Sequence, residues 1–86
     1  MRTFAELEQD DKVTATEVGE VLEHYAASGA AISSLVVIGL IGRTNPNDTQ
    51  REQMKASAQK GKDDQARRRF ARDAAAYGQV IQCLNQ

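Results

Sequence analysis

Apolar positions recur at helical spacing through most of this chain. Val18, Leu22, Tyr25, Gly29, Ile32, Val36 and Gly39 follow one another at intervals of 4, 3, 4, 3, 4 and 3. A parallel stripe holds Val21, Ser28, Ala31, Leu35 and Ile38. That alternation is the mark of a helix close to heptad period. It predicts one long helix over about 15–41, ending at Gly42. Thr14 serves as its N-cap with Glu17 three positions on, and Val13 and Val18 stand where a hydrophobic staple needs them. Upstream, Thr3 and Glu6 form a second capping box, which predicts a short helix near 4–10 with Phe4 and Leu7 on its apolar face.

Arg43 to Thr49, RTNPNDT, is the clearest turn, because the residue before Pro46 is pushed out of the helical region. Thr49 and Glu52 offer a further capping box. Beyond it Phe70, Ala74, Tyr77, Ile81 and Leu84 repeat at 4, 3, 4 and 3. A second helix over about 50–85 is expected, kinked or broken near Gly61, where a glycine is followed by Asp63 and Asp64 as new caps. The fold class is therefore all-α: an antiparallel helical hairpin of 15–41 and 50–85 with a short N-terminal helix, as one domain over 1–86.

With the turn centred on Pro46, facing residues have numbers summing to about 91. Val18, Val21, Leu22, Phe70, Tyr77 and Ile81 then make a small core, with Phe4 and Leu7 folded over it. The stretch ISSLVVIGLIG, Ile32 to Gly42, falls opposite QREQMKASAQ, which offers only Met54, Ala56 and Ala58. Burying one Val, Leu or Ile side chain is worth about 1.5–3 kcal/mol. A hairpin tip carrying six of them between Leu35 and Ile41 needs a cover from outside the hairpin. The first reading is self-association into an oligomeric bundle through Ile32, Leu35, Val36, Ile38 and Leu40. A heterologous protein is a further candidate for that cover. A rival reading inserts the apolar tip, residues 32–41, into a membrane. The charge-free window Tyr25–Gly42 is 18 residues, but its first half, YAASGAAISS, is only weakly apolar, and a spanning helix needs about 20 apolar residues.

Charge adds a second surface. Residues 1–24 hold seven acids and two bases, residues 25–42 none, and residues 43–86 nine bases and five acids. The run ARRRFAR places Arg67, Arg68, Arg69 and Arg72 around one aromatic, an expected patch for an acidic partner or a nucleic acid. The hairpin alignment sets these arginines beside Glu17, Glu20 and Glu23, which predicts pairing between the acidic and basic thirds. A net charge of −1 and a pI near 5.7 weigh against nucleic acid.

Little catalytic chemistry is available. His24 and Cys83 are the only residues of their types, and the hairpin separates them by roughly 24 Å at a rise of about 1.5 Å per residue. No phosphate loop, zinc set or calcium loop is present in the sequence. The expectation is a non-catalytic assembly, adaptor or inhibitory protein without cofactor or metal. An acidic N-terminus with no apolar h-region gives cytoplasmic as the expected location, leaderless export and membrane association staying open. A hairpin turning at Asn45-Pro46-Asn47-Asp48 resembles type III secretion needle subunits, which assemble through apolar faces. The aromatic-glycine signature near the N-terminus and the second proline of that turn are missing, and the family is not assigned.

Overall fold

The computed structural model describes residues 1–86 and is entirely helical. Five helices follow one another: α1, Phe4–Glu8; α2, Ala15–Ser28; α3, Ser34–Thr44; α4, Asp48–Arg67; and α5, Ala71–Leu84. Three of the start signals act close to where the sequence places them. Thr3 and Glu6 close a reciprocal capping box on α1, and Thr14 accepts from the Glu17 N–H at the start of α2. The Glu17 carboxylate does not return to the cap; it is taken by the Arg2 guanidinium, which also holds Asp10 at 2.9 Å. The capping box of α4 is Asn47 with Gln50, two residues ahead of the expected Thr49 and Glu52.

The single helix expected over 15–41 is two helices. Gly29 takes a left-handed conformation, φ 74°. The Ala30 N–H reaches back to the Tyr25 carbonyl at 3.0 Å and the Gly29 N–H to that of Ala26 at 3.4 Å, the two bonds of a Schellman end. The apolar stretch then folds back as α3. Register contacts give the direction of each helix. Gln50 meets Thr16, Met54 lies beside Gly19 and Gln65 reaches Gly29, so α2 and α4 run in the same sense. Arg51 reaches the Leu84 carbonyl and Gly61 lies against Tyr77, so α4 and α5 are antiparallel. The two-rod hairpin with residues paired about Pro46 is thus replaced by four shorter helices running alternately up and down, with α1 packed on α2 and α3.

This arrangement supplies the cover that the hairpin lacked. Val37, Leu40 and Ile41 join Phe4, Leu7, Val18, Leu22, Met54, Tyr77 and Val80 in one core. The molecule exposes 5239 Å², close to the roughly 5000 Å² of a folded monomer of this mass. Phe70, expected in that core, is half exposed.

Gly61 also departs from expectation. It lies inside an unbroken α4 and is buried; a Cβ there would come within 2.5 Å of the Tyr77 ring. The break comes later, at Arg68–Phe70. Tyr77 is fully buried, and its hydroxyl donates to the Ala30 carbonyl at 2.7 Å. The buried Gln65 amide donates to the Gly29 carbonyl at 2.8 Å. The reversal after α2 is thereby tied to α4 and α5. Burial, then the carboxylates of Asp64 and Asp73, push the Tyr77 phenol up to about 12.

Gly61→Ala should lower stability by roughly 1–3 kcal/mol, because the ring has no room to retreat. Gly39→Ala, where an added Cβ meets nothing within 4 Å, should raise it by about 1 kcal/mol; urea unfolding of both variants checks the opposite signs. The phenol's raised pKa means that the folded chain holds this proton more tightly than the unfolded chain. Its contribution is complete below pH 10 and should be lost at about 1.4 kcal/mol per unit as pH rises toward 12. Unfolding curves across that window, against Tyr77→Phe, read the slope.

Candidate functional site

The five positions expected to form an apolar interface are divided by the fold. Ile32 and Leu40 are buried in the core, and Val36 and Ile38 are half-buried against it. Only Leu35 stands out, 82% exposed. Ile32 and Leu40 are therefore corrected from surface to core residues. No helix is long and apolar enough to cross a membrane.

The arginine run is brought together as a surface. Arg67, Arg68, Arg69 and Arg72 are all exposed at the corner joining α4 to α5. The expected pairing with Glu17, Glu20 and Glu23 is absent: Glu17 is taken by Arg2, Glu20 and Glu23 have no cation within 4 Å, and the Arg68 guanidinium lies against Gly29 at the end of α2. Arg67 and Arg68 share Asp64 at 3.6 and 3.4 Å. The Asp64 Oδ2 nearest Arg68 is buried and has no aligned hydrogen bond, so this contact is charge attraction only. Arg69 and Arg72 have no carboxylate within 4 Å.

The backbone of this corner is unusual. Its α4 end is a Schellman closure, with the Arg69 N–H bonded to the Ala66 carbonyl at 3.0 Å and the Phe70 N–H to that of Gln65 at 2.9 Å. The left-handed position of such a closure favours glycine. Here it is Arg69, φ 64°. The next residue, Phe70, is the N-cap of α5 and gives no side-chain cap, where Ser, Thr, Asp or Asn would add about 1 kcal/mol. Two consecutive local preferences are broken, and both place a large side chain in solvent. Phe70 is 50% exposed. It lines a shallow depression with Ala71, Arg72 and Asp73. Leu35 lines a second one with Arg72, Ala75 and Ala76. A third, between the end of α4 and α5, has an alanine floor and carries Lys62 and Arg69 at its edge.

The sequence offers Phe70 two places, among the four arginines and in the core; it occupies the first. The available signal was the absence of any capping residue or glycine in QARRRFAR. His24 is exposed on α2, and Cys83 is half-buried in α5 with its backbone carbonyl near Arg51. No three His, Cys, Asp or Glu side chains converge as metal ligands would.

Fold and surface together define an all-α domain with one basic, aromatic-centred corner. Comparison of the chain with protein families, curated proteins and solved structures finds no match.

Arg69 stands where glycine is favoured, so Arg69→Gly is expected to raise unfolding free energy by about 1 kcal/mol. Phe70→Asp should change it by less than that, because the new cap is set against the covered half of the ring. Thermal and urea unfolding check this; a loss of stability in Arg69→Gly, or a larger loss in Phe70→Asp, would mean that the side chain is held for packing.

Proposed function

We propose that this protein is a non-catalytic protein–protein interaction module whose docking surface is the α4–α5 corner, and that its partner presents an acidic surface with apolar side chains. The observation that carries this reading is the exposure of Arg69 and Phe70 at the cost of two local preferences. An exposed position that opposes local backbone preference is where a function is expected. Its composition fits: aromatic and arginine side chains supply most of the binding energy in protein interfaces. Leu35 extends the apolar area across Arg72.

The charge balance favours acidic protein over nucleic acid. The chain as a whole is at −1, and nucleic-acid surfaces are strongly basic over a wider area. The neighbouring apolar floors, with Ala66, Ala71, Ala74 and Ala75, give a side chain somewhere to rest. Insertion of residues 32–41 into lipid has lost its support, since Ile32, Val37, Leu40 and Ile41 are needed in the core.

The test is fluorescence anisotropy with two probes of equal charge: an amphipathic helical peptide of leucine and glutamate, and a single-stranded oligonucleotide. The peptide should bind, weaken as salt rises, and lose at least about tenfold in affinity with Phe70→Ser. A peptide that does not bind, or that binds Phe70→Ser as well as the parent chain, defeats the reading. Tighter binding of the oligonucleotide, indifferent to Phe70, would transfer the corner to nucleic acid.

A further inference from the structure

The molecule carries a surface that matches its own corner. Between α2 and the first half of α4 lies an open groove lined by Gly19, Ala56 and polar side chains, Glu20 and Glu23 among them, with the buried Met54 beneath. Neither glutamate has a cation within 4 Å. Gly19 is not required by packing: a Cβ there would meet only Met54, at an ordinary 3.7 Å. A glycine in a helix interior costs stability, and here its effect is to leave the groove floor open. Two unpaired glutamates beside an open groove thus answer the two unpaired arginines that flank Phe70 in sequence, in number and in sign.

One copy cannot join the two surfaces by itself. Ser57, at the near edge of the groove, and Arg67, at the start of the corner, are ten residues apart on a continuous helix, or about 15 Å at the helical rise.

Resting on the proposed function above, we infer that the acidic partner of the corner is the α2–α4 groove of a second copy of this chain. Phe70 enters between Glu20 and Glu23, over Gly19 and Met54, while Arg69 and Arg72 meet the two carboxylates. The contact joins two different patches, so it is heterologous and repeats from copy to copy until a ring closes. It also gives the chain a use for its charge asymmetry, which the fold does not spend on pairing its own acidic and basic thirds.

Light scattering of three proteins tests this. The parent chain should show a mass that rises with concentration above 9.4 kDa. A corner-deficient variant (Arg69→Ser, Phe70→Ser, Arg72→Ser) and a groove-reversed variant (Glu20→Lys, Glu23→Lys) should each be monomeric, with helicity by circular dichroism confirming their folds. Mixed in equal amounts they should form a pair with one copy of each and nothing larger, because only one intact corner and one intact groove remain. Gly19→Leu, which fills the floor and alters no charge, should also be monomeric. A monomeric parent chain, assembly of either variant alone, or a mixture that stays monomeric overturns the inference. If the parent is monomeric yet its corner still takes the acidic peptide, self-recognition fails and the docking function stands; if the peptide is refused as well, both fail.

Discussion

Tyr77 joins three parts of the chain through one side chain. Its ring lies on Gly61, where any Cβ would collide with it, so α5 approaches α4 more closely than two ordinary helical residues allow. Its hydroxyl crosses to the Ala30 carbonyl in the reversal after α2. Gln65, one turn along α4 from Gly61, adds the neighbouring carbonyl of Gly29. A helix end that turns inward leaves carbonyls that need donors, and burying them without partners costs about 1–3 kcal/mol each. These two donors allow the reversal to sit against α4 and α5. With it in place, α3 runs back along α5 and its apolar residues enter the core.

The two glycines that matter have exchanged the roles that the sequence suggests for them. Gly29 lies on a regular apolar stripe and reads as a small helical residue. Gly61 lies in a polar stretch beside two aspartates and reads as a break. Periodicity alone cannot separate a small residue that packs from one that ends a helix. The serines after Gly29, of which Ser33 is the N-cap of α3, were the local sign of a new start. For Gly61 no local sign exists, because its need is set by a ring sixteen positions away that reaches it only after the chain has turned. Caps at Thr3 and Thr14, and the turn before Pro46, were legible because their chemistry lies within three residues. The all-helical class was legible for the same reason. Helix direction was not, since one unrecognised reversal changes every later pairing.

Charge followed the same division. The acidic and basic thirds suggest facing helices, but several charged groups are used on backbone ends instead. Arg43, in the last turn of α3, donates to the carbonyls of Glu8, the last residue of α1, and Asp10 just past it. Arg51 donates to those of Leu84 and Gln86 at the end of α5. A cation at a helix C-terminus meets both unpaired carbonyls and the negative end of the dipole. Arg2 gathers Asp10 and Glu17. Among the candidate site residues, then, the four arginines of the corner were legible as a run around one aromatic, but whether that aromatic faced core or solvent was not. Phe70 stands in register with Tyr77 and Leu84, and only the placement of the helix start separates a core aromatic from an exposed one.

The two Schellman ends of this protein can be compared with each other. After α2 the left-handed position is glycine, and its loop carbonyls are bonded by side chains from two other helices. After α4 the same backbone solution is built with arginine and followed by an uncapped phenylalanine. The first obeys local preference and is locked into the core; the second opposes it and faces solvent. Domains of this length have only about 4–13 kcal/mol of stability, so the roughly 1 kcal/mol given up by a left-handed arginine is a noticeable share. Since the chain already contains the cheaper form of the same turn, the backbone does not demand the costlier one. What the costlier form adds is an exposed guanidinium and a half-exposed aromatic ring at successive positions, between the ends of two helices. For the docking role proposed above, a backbone already set in this form would lower the entropy lost on binding.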